Sequence, residues 1–177
     1  MKLNLGCGQN RLDGYVNVDR EAQVAPDLVM DLEKFPWPFE DGSVEEVVAK
    51  HVLEHVGAEA KVFIRIMQEL YRICRPGAEI RIWVPHPRHD NFIDDPTHVR
   101  AITPMTLALF SKEQCEAWKK SGASNSPLAL YADVDFRTKS WGVVVDPRFQ
   151  DHPNVDDMVK NWNNVAVEYQ FVLEVVK

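Results

Sequence analysis

Lys2-Leu3-Asn4-Leu5-Gly6-Cys7-Gly8-Gln9-Asn10-Arg11-Leu12-Asp13-Gly14-Tyr15-Val16-Asn17-Val18-Asp19 holds two short apolar runs separated by a glycine turn and a brief polar step. Lys2–Leu5 is a short, apolar-rich run that breaks at Gly6-Cys7-Gly8, as a strand does on entering a tight turn. Tyr15–Val18 is a second such run, with Asp19 at its carboxyl end. Three more follow. Asp27–Met30 ends at Asp31, Val44–Ala49 ends at Lys50-His51, and Glu79–Val84 is closed by Pro85-His86-Pro87. Several of these runs are nearly all apolar and β-branched, the pattern of strands covered on both faces.

Between the fourth and fifth runs, Phe63, Ile66, Met67, Leu70 and Ile73 recur at helical spacing. This helix begins after Gly57 and takes Pro76-Gly77 as its stop. Thr103-Pro104 reads as an N-cap with proline in the first turn. Ser111 and Gln114 form a capping-box pattern for a helix running to about Lys120, followed by a loop over Ser121–Pro127. Two strand-like runs close the chain, Val134–Val145 and Asn164–Val176, and pair antiparallel at the sheet edge. Strands alternating with helices, then a terminal hairpin, give an α/β fold with an open sheet, as one domain over 1–177.

The 177 residues carry 20 basic and 27 acidic side chains, a net charge of −7. That balance disfavours a nucleic-acid partner, which requires a basic face. No run has the length of a membrane span, and the glycines after Leu5 come too early for a signal peptide. Cys7, Cys74 and Cys115 are widely spaced and odd in number, which points to a reducing, cytoplasmic setting. The sequence leaves the oligomeric state open.

In an open α/β sheet the ligand binds outside the carboxyl ends of the strands. The residues there are Gly6-Cys7-Gly8, Asp19, Asp31, His51 and His86. A glycine turn lets a ligand approach the backbone, and an acid after the second strand suits a pair of ribose hydroxyls. These residue types fit an adenosine-containing cofactor. A plain tight turn with two solvated carboxylates is the other reading of the same positions. A nicotinamide dinucleotide is excluded on two counts. The third glycine of its fingerprint is missing, and Gln9–Gly14 is too short for the crossover helix that would carry a pyrophosphate.

Leu3-Asn4-Leu5-Gly6-Cys7-Gly8 resembles the first motif of class I S-adenosylmethionine-dependent methyltransferases. The short step to Gly14-Tyr15-Val16-Asn17-Val18-Asp19 is similar to a compact, type 11-like subgroup lacking the first helix. Phe35-Pro36-Trp37-Pro38-Phe39-Glu40-Asp41-Gly42-Ser43-Val44-Glu45-Glu46-Val47-Val48 resembles the segment leading into the family's fourth strand. His51-Val52-Leu53-Glu54-His55-Val56 and Leu70-Tyr71-Arg72-Ile73-Cys74-Arg75-Pro76-Gly77-Ala78 follow in the family's order, so the resemblance covers residues 1 to about 100. It implies a Rossmann-like fold with a mainly parallel seven-stranded sheet ending in an antiparallel hairpin. The cofactor it implies is S-adenosylmethionine, and the acceptor a small molecule or glycan. Gly6, Cys7 and Gly8 would form the loop against the methionine portion, with the Cys7 side chain as packing. Asp19 would hold the ribose hydroxyls, Asp31 the adenine amino group and the Leu32 amide a ring nitrogen. His51 would lie at the methionyl end, facing the acceptor.

Two positions depart from the family. Asn4 stands where an acid anchors the cofactor's amino group, and a neutral amide makes a weaker bond than a carboxylate. The missing helix leaves one flank of the sheet for a partner or the terminal tail to cover. The alternative function is therefore a non-catalytic cofactor-binding module, or a subunit dependent on a partner.

An oxygen or nitrogen acceptor of high pKa needs a general base, and histidine is the natural one. His51 and His55 follow the fourth strand. His86, His89 and His98 lie in the turn-rich loop Pro85–Arg100. His51 and His98 are the candidate bases. Solvated or helix-capping histidines are the plainer reading of that loop. His51-x-x-Glu54-His55 also matches an inverted zincin motif, but a protease would carry it in mid-helix. A minor alternative is a metal-assisted methyltransferase using His51, Glu54 and His55 with His86 or His98; no metal ligand is assigned. Trp37 and Phe39 are expected to wall the adenine and Trp83 to lie in the core. Trp118, Trp141 and Trp162 are open between packing and an acceptor pocket.

Overall fold

A computed structural model describes all residues, 1–177. The strands are β1 (Lys2–Leu5), β2 (Val16–Asp19), β3 (Leu28–Val29), β4 (Val44–Lys50), β5 (Cys74–Pro85), β6 (Phe136–Val145) and β7 (Ala166–Val175). The helices are α1 (Ala60–Ile73), α2 (Asp90–Ile93), α3 (Pro104–Ala108), α4 (Lys112–Ser121), α5 (Leu128–Ala132) and α6 (Val155–Asn161). The strands form one seven-stranded sheet in the order β3-β2-β1-β4-β5-β7-β6. The first five are parallel, and β7 and β6 pair antiparallel beyond β5, as expected. This is the Rossmann-like methyltransferase fold, with no helix between β1 and β2.

The register sorts each strand by alternation. Leu3, Leu5, Val18, Val47, Ala49, Ile80, Ile82, Phe171 and Leu173 share one face and join one buried cluster. The apolar stripe of α1 packs into that cluster through Phe63, Ile66, Met67, Leu70 and Ile73. The expectation of strands covered on both faces does not hold. The alternate positions present Lys2, Asn4, Glu46, Glu79, Arg81 and Trp83. Ion pairs run across this face: Lys2–Glu46 at 2.8 Å, Arg81–Glu46 at 3.2 Å, Arg81–Glu79 at 2.7 Å and Lys139–Glu79 at 2.7 Å. Trp83 is half-buried there, outside the core in which it was expected. The tail does not cross this flank. It forms the opposite edge, and Lys177 ends against the carbonyls of Arg72 and Cys74.

The helix stops at Ile73, ahead of the Pro76-Gly77 signal. Pro76 holds Arg75 before it in extended geometry, and Cys74, the extended C-cap of α1, already pairs with Val44. Thr103 and Thr106 form the capping box of α3, and the Ser111 hydroxyl accepts from the Gln114 amide at the start of α4. Short helices α2, α5 and α6 lie in stretches that give no clear periodic signal.

A hydrogen-bonded knot holds the turn where the first helix is missing. Asn4 Nδ2 donates to Asn10 O and to Asn17 Oδ1, each at 2.9 Å. Asn17 Oδ1 also accepts from the Leu12 amide, and Asn17 donates from its backbone and side chain to Asp27 Oδ2 at 2.8 Å. These bonds, with Arg11 beside it, hold the Asp27 carboxyl down at about 2. Asn17 is buried. Asn17→Ala leaves several of these groups unpaired and is expected to lower stability by about 1–3 kcal/mol in urea denaturation. An unchanged midpoint would show that water replaces the knot without cost.

Candidate functional site

The carboxyl ends of β1, β2, β3 and β4 open onto a cavity of about 540 Å³. Gly6, Asp19, Asp31, Leu32 and His51 line it, together with Met30, Val52, His55, Val56 and Thr97. Five of the residues expected to hold a cofactor are thus brought together. Cys7 is buried beside them as packing, and its amide donates to Val18 O. Gly8 is tied in through its amide, which donates to Asp19 Oδ2 at 2.8 Å. Asp19 Oδ1 accepts from the Glu21 amide at 2.9 Å. Each Asp19 oxygen therefore keeps a lone pair free to accept from a ligand hydroxyl.

Gly6 has φ +58°, and a Cβ there would lie 2.4 Å from Val52 Cγ2. Only glycine leaves the backbone this close to the cavity wall. Asp31 Oδ1 accepts from the Glu33 amide at 2.9 Å. Asp19, Glu21, Asp31 and Glu33 outnumber Arg20 around the opening, so the cavity favours a cationic ligand.

Trp37 and Phe39 do not wall this cavity, contrary to expectation. Trp37 is in the core, its indole N–H donating to Leu32 O at 3.1 Å and its amide to Glu69 Oε2 at 2.8 Å. Phe39 packs against the same core. The apolar walls are Met30, Leu32, Val52 and Val56. Asn4 faces the knot described above, where its Nδ2 donates to Asn10 O and Asn17 Oδ1. Trp118 and Trp141 line a separate cavity of about 430 Å³ beside β6, and Trp162 is exposed.

His51 follows β4 in a left-handed conformation, φ +55°, rare for a residue with a Cβ. Its amide donates to Trp83 O at 2.9 Å, which fixes this kink against β5. The ring stands between two carboxylates. Nδ1 lies 3.4 Å from Glu54 Oε1, and Nε2 lies 3.0 Å from Glu168 Oε2. Glu54 and then Glu168 raise the His51 pKa against the opposing effect of burial. Glu168 comes from β7, where it pairs with Pro85 at the carboxyl end of β5. Strand alternation alone did not identify it; counting register along the terminal hairpin would have.

The loop Pro85–Arg100 reaches the cavity through Thr97. His98 lies behind it, 7% exposed, with its ring stacked on Phe92 and 4.5 Å from the His55 ring. His86 and His89 are buried away from the cavity wall. No helix is long and apolar enough to cross a membrane.

Residues 3–82 match the type 11 family of methyltransferase domains. The fold is similar to a SAM-dependent methyltransferase from Archaeoglobus fulgidus, at TM-score 0.65 and 15% identity, covering 98% of this chain and 85% of that one. A putative S-adenosylmethionine-dependent methyltransferase from Listeria monocytogenes follows, at TM-score 0.57 and 13% identity, covering 99% and 90%. The [4+2]-cyclase SpnF is similar at TM-score 0.55 and 15% identity, covering 99% and 75%. No curated protein matches the chain.

Proposed function

We propose that this chain is a class I S-adenosylmethionine-dependent methyltransferase that methylates an oxygen or nitrogen of a small-molecule or glycan-type acceptor entering beside His51, a reading supported by the family match of residues 3–82 and by the fold. The observation that supports this reading is the convergence of Gly6, Asp19, Asp31, Leu32 and His51 on one acidic cavity. The residues fit the cofactor on their own chemistry. Gly6 leaves a cradle that a Cβ would fill, Asp19 keeps two free lone pairs, and four carboxylates face a ligand that carries a sulfonium.

When bound, S-adenosylmethionine supplies a methyl group already activated by its positive sulfur. The protein then has to orient the acceptor, exclude water and accept a proton. Met30, Leu32, Val52 and Val56 give the apolar walls that keep water out. His51 keeps a proton on Nδ1 toward buried Glu54 and takes the acceptor's proton on Nε2. Glu168 beside Nε2 stabilises the imidazolium that forms.

SpnF shares this fold at low identity and is a cyclase, so methyl transfer itself must be measured. The test incubates the pure protein with S-adenosylmethionine and pooled metabolites and follows S-adenosylhomocysteine release. Binding without turnover across broad pools would support the non-catalytic module instead. S-adenosylmethionine should raise the melting temperature, by about 2.7 kcal/mol of stabilisation at a hundred times its dissociation constant, and NAD should not. Asp19→Ala should weaken binding by about 1–3 kcal/mol, roughly 5- to 150-fold, in calorimetry. Unchanged affinity in a folded variant would remove Asp19 from the ribose site.

A further inference from the structure

We propose that Glu54, His55 and His98 bind one divalent transition-metal ion at the acceptor end of the cavity. The argument is a proton count. The Thr97 hydroxyl has one proton and donates it to Asp95 Oδ1 at 2.6 Å. At 2.9 Å from His55 Nδ1 it can therefore only accept. The His55 proton thus sits on Nδ1, and Nε2 carries a lone pair. His98 Nδ1 lies 2.8 Å from the Phe92 carbonyl oxygen, which also only accepts. His98 is fixed in the same tautomer, and its Nε2, 3.8 Å from Asp95 Oδ2, carries the lone pair.

The third group is Glu54. Its side chain is 1% exposed; Oε1 faces His51 Nδ1 at 3.4 Å, and Oε2 has no hydrogen-bond partner. Ligating atoms of Glu54, His55 and His98 all lie within 4.8 Å of one another. With both Nδ1 atoms already engaged, each histidine has its Nε2 lone pair to offer an ion beside the buried carboxylate. A buried carboxylate oxygen with no donor is costly, and a cation removes that cost. One Glu54 oxygen faces His51, which leaves the other for an ion.

The surroundings suit a metal rather than a lone proton. Each histidine holds its Nδ1–H on an acceptor, the Phe92 carbonyl or the Thr97–Asp95 pair, the arrangement that orients imidazole ligands. The two ligand segments are tied together, since the Val99 and Arg100 amides donate to Glu54 O at 2.8 Å and 3.3 Å. Two imidazoles and a carboxylate select a transition ion such as zinc over magnesium or calcium. His55 and Thr97 line the cavity, so the open coordination position faces the acceptor. There the ion would lower the pKa of an acceptor hydroxyl, whose proton passes to His51 while the oxygen takes the methyl group. The ion is neither oxidised nor reduced. That role rests on the methyl-transfer reading; the binding site does not.

The experiment uses the full chain, stripped with a chelator and without S-adenosylmethionine. Calorimetry with zinc chloride, and the visible spectrum with cobalt chloride, report binding and imidazole ligation. The expected result is one zinc per chain with a dissociation constant near or below about 1 μM, and no comparable calcium binding. Glu54→Gln and His98→Asn should each weaken zinc by about 100-fold or more. Thr97→Val, at an exposed position that perturbs folding less, should weaken it by about 10- to 100-fold. Absence of one-to-one binding up to about 100 μM zinc overturns the proposal. So does binding that survives all three substitutions, which would put the ion elsewhere. Zinc binding by a protein that never releases S-adenosylhomocysteine would count against the function, not this site.

Discussion

His51→Asn is expected to lower turnover of methyl transfer by about 10²–10⁴-fold, with S-adenosylmethionine affinity changed by less than about tenfold. Asparagine is the informative replacement because it tolerates the left-handed backbone that His51 adopts at φ +55°. The kink after β4 and its bond to Trp83 O are then preserved, and only the basic nitrogens are lost. Glu54 on one side and Glu168 on the other act through the ring. Their effect is visible in the raised His51 pKa, which favours taking a proton. Glu168→Gln should therefore reduce turnover less than loss of the ring itself, by about tenfold. Steady-state kinetics on any accepted substrate separates the roles. A fall in kcat at constant cofactor affinity assigns the base. A rise in KM for S-adenosylmethionine alone makes His51 a binding residue, and an unchanged kcat removes it from the reaction.

The parallel half of the fold was legible because each strand ends in an abrupt polar break. Gly6, Asp19, Asp31 and His51 follow apolar runs directly, and the topology then brings the same carboxyl ends to one cavity. The polar flank was not legible from apolar content. Lys2, Asn4, Glu46, Glu79 and Arg81 looked like interruptions of buried runs, whereas in register they form one continuous face. Trp37 misled because an aromatic near the third strand suits an adenine wall equally well. What removes it from the cavity is its tie to Glu69, 32 positions away, which no local pattern reveals. The partners of the histidines were hidden for the same reason. Glu168 depends on the β5–β7 register. The tautomers of His55 and His98 depend on Thr97 and on the Phe92 carbonyl, supplied by the loop after β5.

Acidification should destabilise the protein between pH 6.5 and about 4 through His86. His86 is 3% exposed, and its ring lies tilted against Tyr169 with centroids 4.6 Å apart. Nδ1 accepts from the Arg88 amide at 3.2 Å, so the folded state holds the ring neutral. Burial, then Arg88, then His89 push the pKa down to about 4 from 6.5. With the folded pKa depressed, the unfolded chain binds the extra proton in this window, and stability falls as pH falls. His86 contributes its full share above pH 6.5 and none below about 4. The difference amounts to about 3 kcal/mol, at 1.36 kcal/mol for each unit of pKa. Other groups also act over this range. His51, whose pKa is raised, has the opposite slope, and the depressed carboxyls such as Asp27 act at lower pH. The comparison with His86→Asn cancels them. Asparagine can accept the same amide two residues on, which keeps the turn while removing the titration. Urea denaturation at pH 7.5, 5.5 and 4.5 should show the wild type losing more stability than the variant across the series. Parallel losses would mean that His86 protonates as easily folded as unfolded, and that its burial is relieved by water or by movement of the Arg88 turn.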